Sequence, residues 1–92
     1  MNNNSFGVKN MSTISVTKTL DVKNLSCPLP ILKTKKTITA LNVGDVLEVL
    51  ATDPGSISDI TSWAKTTGQE LLSHEEIDGK PKIFRFLIRK LK

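Results

Sequence analysis

The spacing of apolar residues changes along this chain, and the order of those changes restricts the fold more than any other feature. From Thr17 to Asn24 the pattern alternates, with Leu20 and Val22 pointing one way and Thr19, Asp21 and Lys23 the other. A period of two marks a half-buried strand. After Pro30, the residues Ile31, Thr34, Ile38 and Leu41 recur at spacings of three, four and three, one stripe of an amphipathic helix. Asn42-Val43-Gly44 ends it, with a glycine suited to a left-handed turn. Val46 to Thr52 is a second strand, nearly all apolar, with Leu47, Val49 and Ala51 on one face. Asp53-Pro54 then reads as an acidic cap followed by a proline at the first helical position, and Ser56 with Asp59 offers a later cap. Ile57, Ile60, Trp63 and Ala64 form the inner stripe of a second helix, which Gly68 closes. A third strand covers about Gln69 to Ile77 with poor alternation, Asp78-Gly79 signals a hairpin, and Lys82 to Lys90 is the clearest strand. There Phe84, Phe86 and Ile88 point inward and Arg85 and Arg89 outward.

The order βαβαββ implies an α/β (α+β) fold, a two-layer sandwich of a four-stranded mixed sheet with two helices on one face. Right-handed crossovers make the first three strands parallel in direction and the fourth antiparallel to its hairpin partner. The carboxyl ends of the first two strands then share one rim, and open α/β sheets bind ligands at such ends. Residues Cys27, Asp53, Lys80 and Lys82 are expected at that rim, and Arg89, Lys90 and Lys92 at the opposite end.

Residues 1–16, rich in Asn, Ser and Thr, read as a flexible tail, leaving 17–92 as one domain, and Met11 is a second candidate start. A single cysteine excludes an internal disulfide and, with one histidine, Cys-rich zinc sites, so no metal is expected. It also fits a reducing compartment. No run approaches the roughly 18 apolar residues of a membrane span, and the N-terminus has no secretory pattern, so a cytoplasmic location is expected. A net charge of +4 suits an acidic partner surface or RNA, and the few aromatics, three Phe, one Trp and no Tyr, leave little for base stacking and argue against an RNA-binding domain. Lys33, Lys36, Lys80, Lys82 and Asp53 are the candidates for partner docking, although most exposed lysines are simply solvated.

The chemistry concentrates at Cys27-Pro28-Leu29-Pro30, where a strand gives way to a helix. Pro28 fits the first helical position and Pro30 the first turn, where a missing N–H costs nothing. The N–H groups of Leu29 and Ile31 are expected to face the sulfur. A thiolate at a helix start is favoured by such donors and by the helix dipole, and its pKa can fall to roughly 3.5–7.5. Without a second cysteine there is no dithiol cycle, and His74, on the third strand, has no orienting partner for hydrolase chemistry. One-cysteine chemistry remains: carrying a sulfur, responding to oxidation, or a structural thiol.

Leu20-Asp21-Val22 and Leu25-Ser26-Cys27-Pro28-Leu29-Pro30 resemble the CPxP signature of the TusA/SirA-like sulfur-carrier family. So do Gly44-Asp45, Asp53-Pro54-Gly55, Asp59-Ile60 with Trp63, Gly68, and Ile88-Arg89-Lys90, in order from about Thr17 to Lys92. The resemblance implies a two-layer α/β sandwich and a sulfurtransferase in which Cys27 holds sulfane sulfur as a persulfide, with Pro28 and Pro30 shaping the helix start. It implies donors such as cysteine desulfurases or rhodanese-like proteins. Acceptors would lie in tRNA thiolation, molybdenum-cofactor supply or sulfur oxidation, with tRNA reached only indirectly. No cofactor is implied, and a monomer is expected. Asn24 and Ser26 depart from the pattern, standing where many members have a glycine and a basic residue. The alternative is a regulatory or redox-responsive binding module whose thiol transfers nothing.

Overall fold

In the computed structural model, which describes residues 15–26 and 28–92, the elements follow the expected order. They are β1 (Lys18–Val22), α1 (Leu29–Thr39), β2 (Val46–Ala51), α2 (Gly55–Thr67), β3 (Glu70–Ile77) and β4 (Ile83–Arg89). Most of the expected tail, with Met11, lies outside the described residues, as does Cys27. The four-stranded sheet has the order β1-β2-β4-β3. β1 is parallel to β2, and β4 is antiparallel to both β2 and β3. The first three strands therefore run one way, although β3 reaches the sheet only through β4.

Register explains which side chains meet the helices. Leu20, Val49 and Phe86 share one row, Val22, Ala51 and Phe84 the next, and Leu47 and Ile88 lie in the row on the other side. Together with Ile31 and Ile38 of α1 and Ile60 of α2 these residues, apart from the partly buried Leu20, form the core, and Leu20, Trp63 and Leu71 pack against its margin. Each Val, Leu, Ile or Phe among them contributes about 1.5–3 kcal/mol on full burial, the main favourable term in a domain of this size. Both helices pack on this one face, so the layers number two, as the crossover rule required.

β3 alternates poorly for a physical reason. A register shift between Leu71 and Ser73 makes Leu72 an extra residue, and the inward set moves by one position. His74 thereby joins the row of Phe86 and stacks on its ring, with centroids 5.2 Å apart and planes 8° from parallel. It shields an aromatic core residue at the sheet edge.

The other face of the sheet is bare of helices and carries a polar ladder. Thr19 Oγ1 donates to Glu48 Oε1 at 2.8 Å. Arg85 Nε donates to Glu48 Oε2, and Arg85 Nη1 donates to Glu75 Oε1 at 2.8 Å. The ladder thus crosses β1, β2, β4 and β3, while Arg89 pairs with Glu70 at 3.1 Å. The hydrogen bond from Arg85, then that from Thr19, holds the Glu48 carboxyl below the usual carboxylate range.

Candidate functional site at the sheet rim

Val22, Ala51, Phe84 and Glu76 share one row across the sheet. The β1–α1 connection, the β2–α2 connection and the β3–β4 hairpin therefore all emerge at the same rim. Both helices begin there, because each follows the carboxyl end of a strand.

Short hydrogen bonds fix the β1–α1 connection. Lys23 N–H donates to Asp21 Oδ1 at 3.0 Å, and Leu25 N–H donates to the Val22 carbonyl at 3.3 Å. Asn24 takes a left-handed conformation, φ 69°. Asparagine tolerates that region better than most side chains, and glycine enters it without penalty. This accounts for an asparagine at this position. Asn24 N–H donates to Thr52 Oγ1 at 2.9 Å, which ties the first connection to the second.

The helix start differs in detail from the sequence expectation. Pro28 is the N-cap of α1, not its first helical residue, and its carbonyl accepts from Leu32 N–H at 3.2 Å. Pro30 is the second residue of the helix and is buried. A missing N–H costs nothing at either place, so proline alone does not separate them. Leu29 N–H is not free to face a sulfur, because it donates to the Ser26 carbonyl at 2.9 Å. The Pro30 carbonyl accepts from Thr34 Oγ1 at 2.8 Å, which satisfies a hydroxyl that is fully buried. No acidic side chain stands in the first turn of α1 to neutralise the positive end of its dipole.

At the second connection, Pro54 has helical dihedrals, φ −57° and ψ −27°, one residue before α2 as assigned. Asp53 Oδ1 accepts from Gly55 N–H at 3.3 Å, and the Asp53 carbonyl accepts from Ser56 N–H at 2.9 Å. The N-cap is therefore Pro54, not Asp53 as expected, and Asp53 braces the residues just ahead of the helix. Ser56 does not cap: its hydroxyl is buried within the fold without a hydrogen-bond partner.

The candidate docking residues separate into two groups. Lys33 and Lys36 are exposed on the outer face of α1. Leu29 and Leu32 share that face at helical spacing, 44% and 51% exposed. Lys36 lies about 10 Å along the helix from Leu29 at 1.5 Å per residue. Lys80 and Lys82 reach the same rim but across the sheet, about 12 Å from β1 by strand spacing. Lys82 is engaged there by Glu76 at 3.2 Å. Sequence reading omitted Leu29, Leu32 and Thr52. The leucines had a signal, since they sit opposite the Ile31, Thr34, Ile38 stripe; Thr52 had none, because its partner is 28 residues away.

A family model described as sulfurtransferase TusA matches residues 18–90, which include this rim and position 27. The sulfur carrier protein TusA of Allochromatium vinosum is 54% identical over 71 residues, covering 77% of this chain and 90% of that protein. A putative sulfur carrier protein of Halobacterium salinarum is 51% identical over 78 residues, covering 84% of this chain and 93% of its own length. Among solved structures, a SirA-like protein from Desulfitobacterium hafniense superposes with a TM-score of 0.66 over 82% of this chain and 99% of its own. At 22% identity that likeness speaks for the fold.

Proposed function

The chain belongs to the TusA sulfurtransferase family, and from that premise we propose that Cys27 carries sulfane sulfur as a persulfide between a donor protein and an acceptor. The Cys27 thiolate attacks the terminal sulfur of a donor persulfide, R–S–SH. The donor S–S bond breaks, R–S⁻ leaves with the electron pair, and Cys27–S–SH forms. A nucleophile of the acceptor then takes the outer sulfur and releases the Cys27 thiolate. The exchange needs no net oxidant and no cofactor.

One observation supports this reading: α1 starts at this rim with no acidic side chain in its first turn, and Cys27 directly precedes its capping Pro28 in the sequence. Helix starts favour anionic sulfur, whether thiolate or persulfide. Pro28 and Pro30 stiffen that start. Residues 17–92 form the carrier unit, a monomer acting in the cytoplasm; no helix among the described residues is long and apolar enough to cross a membrane. The donor is a cysteine desulfurase or a rhodanese-like protein, and the acceptor belongs to a sulfur-trafficking route such as tRNA thiolation. Lys33 and Lys36, with Leu29 and Leu32 beside them, supply the docking face. Asp53 lies at the same rim, and Lys80 and Lys82 reach a partner only if it spans the rim.

Intact mass after incubation with a desulfurase and cysteine tests the proposal. The expected result is a gain of about 32 Da, one sulfur, removed by reductant and absent in Cys27→Ser. No gain from desulfurase, rhodanese-type donor or inorganic polysulfide would overturn the carrier reading and favour a regulatory module.

A further inference from the structure

We propose that Thr52 is a positioning residue for the turn that bears Cys27; the inference rests on the carrier reading above. Thr52 directly follows β2, whose last residue, Ala51, is fully buried and paired with Val22 on one side and Phe84 on the other. Its hydroxyl therefore projects from one of the most firmly held points of the rim. The bonds of Lys23, Leu25 and Leu29 in the β1–α1 connection are local, each within three residues. The bond from Asn24 N–H to Thr52 Oγ1 spans 28 residues and fastens this connection to the central sheet. It also acts on a residue that needs support, since Asn24 holds a left-handed backbone, φ 69°, that a side chain disfavours.

Without that acceptor, Asn24 has reason to leave the left-handed region, and the segment from Asn24 to Pro28 shifts relative to the start of α1. A hydrogen bond of this kind is worth a factor of roughly five in the equilibrium between held and released forms. The reactive position follows the same equilibrium. A thiolate held less well at the helix start titrates at higher pH.

The test uses the full chain as wild type, Thr52→Val, Thr52→Ser and Thr52→Asn. Valine keeps the shape and removes the acceptor; serine and asparagine keep an acceptor. The measurements are the pH dependence of Cys27 alkylation by iodoacetamide and the rate of sulfur uptake from inorganic polysulfide, with thermal melting as the fold control. For Thr52→Val, the alkylation midpoint is expected to move to higher pH and uptake at pH 7 to fall roughly two- to fivefold. Serine should restore both to within about twofold, which a loss of packing alone would not do. Should valine lower the melting temperature below the assay range, the asparagine variant decides instead, and wild-type behaviour is expected of it. A valine variant that titrates and loads like wild type, or a serine variant as impaired as valine, overturns the proposal. If wild type itself takes no sulfur, the carrier reading fails, while the alkylation midpoints still judge Thr52.

Discussion

Glu48 is the residue on which the bare face of the sheet depends, and replacing it with glutamine tests that dependence. Its carboxylate accepts from Thr19 on β1 and from Arg85 on β4. The side chains are only 17% exposed for Glu48 and 25% for Arg85. A fully exposed ion pair is worth about 0–1 kcal/mol, and a hydrogen bond to a charged group about 1.5–3 kcal/mol. Partial burial puts Glu48→Gln near the lower end of the second range, about 1.5 kcal/mol at pH 7, because glutamine keeps the shape but not the charge. In a domain of this size that is about 6–12 °C in melting temperature.

The pH dependence gives the sharper check. The Arg85 hydrogen bond, followed by that of Thr19, lowers the Glu48 pKa in the folded protein. A carboxyl depressed on folding contributes stability that is complete above its unfolded pKa, about 4.3, and lost as pH falls through the folded value. The gap between wild type and Glu48→Gln should therefore be constant from pH 7 to about 5 and close below about 4. Thermal melts of both proteins from pH 7 to 2.5 measure it, and subtracting the curves removes the carboxylates they share. A gap under about 2 °C at pH 7, or one of equal size at pH 7 and pH 3, would refute the assignment of this stability to the Glu48 charge.

Two further outcomes are expected. Reversing Lys33 and Lys36 together to glutamate should slow sulfur uptake from a protein donor about tenfold at low salt, with the deficit shrinking as salt is added; loading from inorganic polysulfide should not change, and equal slowing with both donors would place the defect in the cysteine turn instead. Gly68→Ala should lower stability by about 1 kcal/mol, or about 4–8 °C, measured by thermal melting. The cause is the left-handed backbone at Gly68, φ 80°, since the added Cβ would meet only the movable end of Lys92 at 3.0 Å; a melt within about 1 °C of wild type would contradict this.

The parts of this fold that were legible in the sequence are those set by neighbours along the chain. Alternation in Lys82 to Lys90 sorted Phe84, Phe86 and Ile88 from Arg85 and Arg89, and the structure sorts them the same way. The parts that were not legible depend on distant partners. The strand from Val46 to Thr52 read as nearly all apolar and gave Glu48 no role, because Thr19 and Arg85, which explain it, lie 29 and 37 residues away. The bulge at Leu72 left no local mark beyond spoiled alternation. The donor expected of Leu29 is taken by Ser26, a turn bond that two flanking prolines do not announce.

The rim is where these two kinds of information meet. Two parallel-type crossovers onto one face oblige both helices to begin at the same edge of the sheet, so the positive ends of both dipoles converge there. Neither helix has an acidic side chain in its first turn. Asp53 precedes α2 and accepts from the N–H of Gly55 at 3.3 Å. The first turn of α1 has no acidic side chain, and Pro28 and Pro30 remove two donors that would otherwise need partners. The first connection is bound to the second through Asn24 and Thr52, which holds the two helix starts together at the rim. An anionic group brought to the start of α1 therefore meets the positive end of a helix dipole with no acidic side chain in its first turn.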